Sequence, residues 1–221
     1  MNKPVIIFGA GSLSRLAYYY LTQEMGLMVV GFVVDKQFKT NETLLGLPVL
    51  SWEENLDQHS AENMDMHVAI GYRSIRLRAV AYERARSAGY NLRSIISKSV
   101  FLASTATVGE NSFIMPGVVI EPGVSLGVNN VVWSNSTICH DSNIGSHNFI
   151  ASNVTLGGEI LMGNRNFLGF SSVIVQHVKV EDDVLIGANT LLIGDAKALG
   201  VYLGSPGRRV KEIDPSTGVC V

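Results

Sequence analysis

An aliphatic side chain recurs at every sixth position through the second half of the chain, and this period constrains the fold more than any other feature of the 221 residues. The series runs without a break and uses only leucine, isoleucine, valine and methionine. A strand alternates with a period of two and a helix turns with a period of 3.6, so a sustained period of six predicts an internal structural repeat. The sixteen positions are Leu102, Val108, Ile114, Ile120, Leu126, Val132, Ile138, Ile144, Ile150, Leu156, Met162, Leu168, Ile174, Val180, Ile186 and Leu192.

This repeat predicts a parallel β-helix, a solenoid in which each unit is a short strand followed by a corner. The aliphatic side chain points inward and stacks on its equivalents one coil away, at roughly 4.8 Å. The fourth residue after it is usually small or valine, as a bore that narrows at each corner requires. Glycine often follows the aliphatic residue directly, and we expect it there because the corner needs an unusual φ angle. These glycines are Gly109, Gly127, Gly145, Gly157, Gly163, Gly169 and Gly187.

The first half of the chain reads as alternating strands and helices. Segment 46–50 reads as a turn. The second predicted helix, over 72–88, is expected to bury Ile75, Ala79, Val80 and Ala85 and to expose its arginines. This alternation predicts a small parallel sheet, a Rossmann-like half of a doubly wound nucleotide-binding fold. Apolar runs predict strands at 5–9, 28–35, 67–71 and 92–97, and helical spacing predicts helices over 12–25 and 72–88.

Composition excludes several classes of protein. With 47% hydrophobic and 16% charged residues the chain is not disordered, and a net charge of −2 gives no electrostatic footprint for nucleic acid. No apolar run approaches the ~20 residues of a bilayer span, so we expect a cytoplasmic protein without a transmembrane helix. The two cysteines, Cys139 and Cys220, cannot form a disulfide framework.

Histidine is the residue type that titrates near working pH. We expect His67 to be an ordinary strand-end histidine and assign no role to His59. The other three, His140, His147 and His177, occupy non-core positions of the solenoid and therefore point outward or lie at corners.

Residues 136–145, STICHDSNIG, resemble the active-site segment of the bacterial sialic acid O-acetyltransferase and nucleotide-sugar N-acetyltransferase family, a group of hexapeptide-repeat acyltransferases. Its pattern is Ser-x-Ile-x-His, an acidic residue, two further residues and Ile-Gly. The resemblance implies that His140 is the general base and that Asp141, where the family more often has Glu, orients it and raises its basicity. Imidazole suits this task because an amine or hydroxyl that attacks a thioester must lose a proton.

The resemblance covers nearly the whole chain. It implies a left-handed β-helix with three repeats per coil, a homotrimer with active sites between subunits, acetyl-CoA as donor and no metal. We expect a sugar-nucleotide-binding domain over 1–97, an acetyl-CoA and catalytic domain over 98–207 and a tail over 208–221. The matching motifs are VIIFGAGSLSRL at 5–16, AIGYRSIR at 69–76, ISKSVFLASTATVG at 96–109 and ALGVYLGSPGRRV at 198–210.

The same resemblance implies two sets of binding residues. Acetyl-CoA would contact Phe149, Gly157, Gly158, Phe170 and Ala188, with Arg208 and Arg209 meeting the CoA phosphates. The acceptor nucleotide would contact Gly9, Gly11, Ser12, Leu13, Asp35, Lys36 and Gly71, because a helix N-terminus after glycines favours a diphosphate. Residues 9–14 read Gly-Ala-Gly-Ser-Leu-Ser where the family has Gly-Ala-Gly-Gly-His-Gly, so the family's histidine contact is missing.

The leading hypothesis is an acetyl-CoA-dependent N-acetyltransferase acting on a nucleotide-linked amino sugar, and O-acetylation of a sugar hydroxyl is its alternative. Less favoured are a NAD-binding oxidoreductase domain and a solenoid without catalysis. A three-histidine zinc site, as in hexapeptide-repeat carbonic anhydrases, lacks its close pair of downstream ligands. A covalent route through Cys139 is also disfavoured, because strand alternation turns its side chain away from His140.

Overall fold

A computed structural model describes residues 3–71 and 73–221. Two compact units divide the chain. The first contains the described residues of 1–71 and 77–95, and the second contains those of 72–76 and 96–221. In the described part of the chain, no helix has the length and apolar character needed to cross a membrane.

The first unit is built on a six-stranded sheet. From one edge to the other its strands are Thr43–Leu44, Leu47–Ser51, Val29–Val34, Val5–Phe8, Asp65–Val68 and Asn91–Leu92. All neighbours pair in parallel except the hairpin at the first edge. The helical segments are the α-helices Ser12–Tyr19, Trp52–Gln58 and Ile75–Ser87, the π-helical turn Tyr20–Glu24 and the 3-10 turn Lys36–Phe38. The central strand is buried along its whole length, which explains its uninterrupted apolar sequence.

Segment 46–50, which we expected to be a turn, belongs mostly to the strand Leu47–Ser51. The turn lies just before it, at Leu45 and Gly46, which both have positive φ as a tight hairpin requires. Ser51 then caps the helix Trp52–Gln58: its hydroxyl accepts the Glu54 N–H, and the Glu54 side chain accepts the Ser51 N–H. This capping box is visible in the sequence and predicts the helix that the periodicity missed.

Two expectations about side chains in the first unit were wrong. Arg78 lies on the buried face of its helix, where burial lowers its pKa to about 9, while Val80 is 63% exposed. His67 lies inside the strand Asp65–Val68 and is buried there. Its Nδ1 lies 2.8 Å from the carbonyl oxygen of Arg93, and burial lowers its pKa to about 4, so the ring is neutral at working pH.

The second unit is a parallel β-helix whose strands, most of them two residues long, form three sheets. The first sheet contains Ile95–Ile96, Phe113–Ile114, Val131–Val132, Phe149–Ile150, Phe167–Leu168, Leu185–Ile186, Gly200–Leu203 and Arg208–Glu212. The second contains Phe101–Leu102, Val119–Ile120, Thr137–Ile138, Thr155–Leu156, Val173–Ile174 and Leu191–Leu192. The third contains Thr107–Val108, Ser125–Leu126, Asn143–Ile144, Leu161–Met162 and Lys179–Val180. Paired residues are one coil of 18 residues apart, as with Thr137 and Thr155.

The predicted inward row is confirmed. From Ile114 to Leu192, every aliphatic residue of the period lies in one continuous buried core. Leu102 and Val108, in the first coil, are only partly covered. The last strand, Arg208–Glu212, runs antiparallel to Gly200–Leu203, so part of the segment that we expected to be a tail is paired to the first sheet.

The reason given for the corner glycines was wrong. Positive φ occurs at the third residue after each aliphatic from Val108 to Ile186, and asparagine, aspartate and histidine are common there. Six of the seven glycines directly after the aliphatic are required because the backbone of the next coil approaches closely. At Gly187 the nearest atom belongs to the Leu203 side chain. A Cβ on Gly145 would lie 2.5 Å from the carbonyl oxygen of Gly163, and one on Gly109 would lie 2.6 Å from that of Gly127.

We predict that Gly145→Ala lowers the free energy of unfolding by about 1–3 kcal/mol, because the added methyl would meet the backbone of the next coil. Gly194→Ala is the matched control, since nothing lies within 4 Å of a Cβ at that position. Chemical denaturation of both variants measures the difference. Equal stability of the two variants would contradict the close-approach explanation.

Candidate active site

The candidate base, His140, lies at a corner of the β-helix with Asp141. The corner joins the second-sheet strand Thr137–Ile138 to the third-sheet strand Asn143–Ile144. Asp141 has a φ of 57°, in the left-handed region that aspartate tolerates better than most residues. His140 Nδ1 lies 2.9 Å from Asp141 Oδ2. The imidazole therefore donates its Nδ1 proton to the carboxylate, which leaves Nε2 as the nitrogen that can accept a proton.

Carboxylates raise the pKa of His140 above its usual value. The hydrogen bond that the ring donates to Asp141 has the largest effect. Desolvation, the next largest, lowers the pKa, and the negative charges of Asp141, Glu121 and Glu159 raise it further. The His140 and Asp141 side chains are 55% and 66% exposed, so the pair is open to a ligand.

Two of the residues predicted to bind acetyl-CoA lie at the equivalent corner one coil away. A Cβ on Gly158 would be 2.8 Å from both Cε1 and Nε2 of His140, so only glycine leaves room for the ring in this position. Gly157 is equally confined, since its Cβ would lie 2.5 Å from the backbone nitrogen of Gln176. The structure thus brings Gly157, Gly158 and the His140 ring together.

Cys139 is partly buried beside the base. Burial, together with the charge and hydrogen bond of Glu121, raises the pKa of its thiol. A thiol that stays protonated at neutral pH is a weak nucleophile, which argues against a covalent intermediate on Cys139.

Within one chain, the remaining predicted acetyl-CoA contacts lie away from His140. Phe149 is in the first sheet, 3% exposed, with its ring stacked on Phe167 at 5.4 Å. Phe170 and Ala188 are exposed at equivalent positions of the corner between the first and second sheets. The arginines, Arg208 and Arg209, are exposed on the last strand.

The solenoid also carries a groove along its third sheet, with a volume of about 510 Å³, that sequence reasoning did not anticipate. Charged side chains from Lys179, Glu181 and Asp182 line it together with apolar and small residues. The remaining lining residues are Asn143, Leu161, Met162, Gly163, Val180 and Ala198.

The other corner histidines differ from His140. Asn129 Nδ2 lies 2.9 Å from His147 Nδ1, within a column of corner residues. His177 Nδ1 lies 3.5 Å from a Glu159 oxygen, a longer contact than that between His140 and Asp141. Among residues 3–71 and 73–221, no group of three histidine, cysteine or acidic side chains is arranged to hold a metal ion.

In the first unit, the predicted nucleotide residues gather where neighbouring parallel strands end. Gly9 follows the central strand with a φ of 134°, and a Cβ there would lie 2.7 Å from the Ala69 carbonyl oxygen. The helix Ser12–Tyr19 begins after Gly11, which offers no capping side chain, so its first N–H groups are open to an anion. Ser12 is exposed at this end of the helix, whereas Leu13 is buried in the core.

Asp35 and Lys36 follow the strand Val29–Val34 on one side of the central strand. Gly71 lies three residues after the strand Asp65–Val68 on its other side. The Asp35 carboxylate is paired with Arg84, whose guanidinium lies 4.3 Å from the Trp52 ring centre. A small cavity beside the glycine loop was not anticipated from the sequence. It is lined by Ala10, Arg15, Phe38, Thr40, Asn41, Thr43, Leu44 and Val49.

A family model described as the GMPPB C-terminal domain matches residues 96–199. No curated protein matches the chain. The acetyltransferase domain of PglB from Neisseria gonorrhoeae, solved in complex with acetyl coenzyme A, is 22% identical, with a TM-score of 0.82 over 95% of this chain and 100% of that chain.

Two further solved structures are similar over almost the full length. A histidine-to-alanine mutant of GDP-perosamine N-acetyl transferase from Caulobacter crescentus, in complex with CoA and GDP-perosamine, is 22% identical, with a TM-score of 0.87 over 96% of this chain and 99% of that chain. WeeI from Acinetobacter baumannii is 17% identical, with a TM-score of 0.76 over 95% of this chain and 100% of that chain. The structural neighbours thus include bacterial sugar acetyltransferases, and the predicted resemblance is confirmed at the level of the fold.

We predict that Asp141→Asn lowers the pKa of His140, because the amide has no negative charge to stabilise the imidazolium. NMR titration of the His140 ring protons measures the shift. Asp195→Asn is the control, since Asp195 accepts the Lys179 N–H at an equivalent corner three coils further along. An unchanged His140 titration in Asp141→Asn would contradict the assignment of Asp141 as its orienting carboxylate.

Proposed function

We propose that the protein is an acetyl-CoA-dependent N-acetyltransferase that acts on the amino group of a nucleotide-linked amino sugar. The observation that carries the proposal is the exposed pair of His140 and Asp141, in which the carboxylate holds Nδ1 and leaves Nε2 as the proton acceptor. Solved neighbours of the same fold bind acetyl coenzyme A, or CoA with GDP-perosamine, which supports both proposed substrates.

In the proposed reaction His140 acts as a general base. Its Nε2 removes a proton from the sugar amine while the amine nitrogen forms a bond to the thioester carbonyl carbon. Collapse of the tetrahedral intermediate breaks the carbon–sulfur bond, and the imidazolium returns a proton to the leaving CoA sulfur. Asp141 keeps its hydrogen bond to Nδ1 throughout and stabilises the transient positive charge of the ring.

For the donor we retain Phe149, Phe170, Ala188, Arg208 and Arg209 as proposed contacts, beside Gly157 and Gly158. Because these residues lie on different sides of one solenoid, we propose that they meet the donor in a groove between neighbouring subunits of a homotrimer, with the left-handed coil of the resembled family. Arginine guanidinium groups suit the phosphates of CoA.

For the acceptor we propose that residues 1–97 are a Rossmann-like nucleotide-binding domain, followed by the catalytic domain over 98–207 and the tail over 208–221. The diphosphate would bind at Gly9, Gly11 and Ser12, where the helix N–H groups are open. Leu13, Asp35, Lys36 and Gly71 would surround the nucleotide. A cytoplasmic location, with access to both activated substrates, is part of this proposal.

We predict that His140→Ala lowers kcat by about 10²–10⁴-fold, the usual contribution of a general base. His177→Ala is the matched control, since it removes an exposed corner histidine that also faces a carboxylate. The assay follows release of CoA from acetyl-CoA with a panel of UDP-, dTDP- and GDP-linked amino sugars. NMR of the product distinguishes an amide from an ester and so separates N- from O-acetylation. Full activity of a correctly folded His140→Ala variant would exclude the general-base role.

We predict that Gly11→Asp weakens nucleotide binding by about tenfold or more, because its carboxylate would repel a diphosphate at the helix N-terminus. Nothing lies within 4 Å of a Cβ at Gly11, and aspartate is a favourable N-cap, so the variant should be at least as stable as the wild type. Gly11→Ala is the uncharged control. Calorimetric titration with UDP, GDP and dTDP measures the affinity. Unchanged binding by Gly11→Asp would show that the diphosphate does not bind at this helix N-terminus.

A further inference from the structure

Glu121 contacts the backbone of the proposed base from the preceding coil. Its Oε2 accepts the backbone N–H of His140 at 2.8 Å. The neighbouring N–H groups have backbone acceptors: Cys139 donates to the carbonyl of Leu156 and Asp141 to that of Pro122. The His140 N–H is thus a corner donor whose acceptor is a side chain.

Side chains accept backbone N–H groups at other corners as well. Asp182 accepts the N–H of Asn164 at 2.8 Å, and Asp195 accepts that of Lys179 at 2.9 Å. Asp182 also accepts the Asn164 side-chain amide and pairs with Arg165. The contact at Glu121 differs because the residue whose N–H it accepts carries the exposed imidazole.

The position of the imidazole depends on the backbone at this corner. The ring is limited on one side by Gly158, where even a Cβ would lie 2.8 Å away, and is held by Asp141 through Nδ1. The His140 carbonyl accepts the Glu159 N–H at 2.9 Å. With Glu121 on its N–H, both polar groups of the His140 backbone are hydrogen-bonded, so the point from which the ring projects is fixed.

Three carboxylates act on the ring from three successive coils. Asp141 lies at the same corner, Glu121 belongs to the coil before and Glu159 to the coil after, and all three raise the pKa of His140. The remaining titratable neighbours are the Cys139 thiol, which hydrogen-bonds Glu121, and His177, which faces Glu159. Glu121 therefore combines a hydrogen bond to the backbone with a negative charge near the ring.

We propose that Glu121 is a positioning residue for the reaction: it fixes the His140 corner through the backbone N–H and so holds the imidazole in its productive place. The inference rests on the proposed role of His140 as general base. In this proposal Glu121 acts through His140, whose backbone N–H it accepts.

Two substitutions separate the hydrogen bond from the charge. Glu121→Gln keeps an oxygen that accepts the His140 N–H and removes the charge, whereas Glu121→Ala removes both. We expect Glu121→Gln to lower the pKa of His140, with the shift shrinking in high salt, and to change kcat by less than about threefold. We expect Glu121→Ala to lower kcat by about tenfold more than Glu121→Gln, with KM for acetyl-CoA unchanged.

The control is Asp195→Ala, which removes the same kind of side-chain contact to a backbone N–H three coils further along and should leave kcat, KM and the His140 titration unchanged. NMR provides a readout that does not depend on turnover. The amide proton of His140 should resonate downfield in the wild type and in Glu121→Gln, and should move upfield in Glu121→Ala.

The outcomes distinguish this inference from the proposed function. Equal loss of kcat in Glu121→Gln and Glu121→Ala would show that only the charge matters and would overturn the positioning role. An unmoved His140 amide proton in Glu121→Ala would overturn the contact itself. If the wild type transferred no acetyl group to any acceptor, the proposed function would fail, while the amide and ring titrations would still decide whether Glu121 holds His140.

Discussion

The parallel pairing of residues one coil apart is the constraint on which the second unit depends. Thr137 pairs with Thr155, and the same register continues through all three sheets. Any residue in the repeat therefore has a counterpart above and below it with the same backbone environment. Aliphatic residues fill the inward column, glycines allow the coils to approach, and residues with positive φ turn the corners. The chemistry of the site is added at one such corner without changing this register.

The architecture of the solenoid was predictable because the residue at every sixth position is aliphatic and faces the buried core. Ile138 and Leu156 are fully buried as the period requires. The role of the glycines was not predictable in the same way. The sequence shows that glycine recurs at the position of Gly145 in neighbouring coils. Both an unusual φ and a close backbone approach favour glycine, and only the distance to Gly163 decides between these two explanations.

In the first unit, the sequence was informative where local signals agreed with burial. The strand and helix around Gly9 were predicted, whereas Arg78 was expected on the surface because periodicity assigns charged residues to the solvent face. Of the site, His140 and Asp141 were expected from a resemblance and the structure places them within hydrogen-bond distance. Glu121 could not be anticipated in this way, because its contact joins residues 19 positions apart and involves a backbone group.

The left-handed backbone of Asp141 lets the side chains of two consecutive residues, His140 and Asp141, interact. In a strand, consecutive side chains point to opposite faces and cannot meet, so an interacting pair must be assembled from separate segments. At this corner the chain turns from the second sheet to the third, and two consecutive residues contact each other. The proposed base and its carboxylate are thus consecutive residues on a turn whose positive φ recurs at the equivalent positions Gly123, Glu159 and His177. Because Glu121 of the coil before and Gly158 of the coil after both limit the position of the imidazole, this corner depends on the residues of its neighbouring coils.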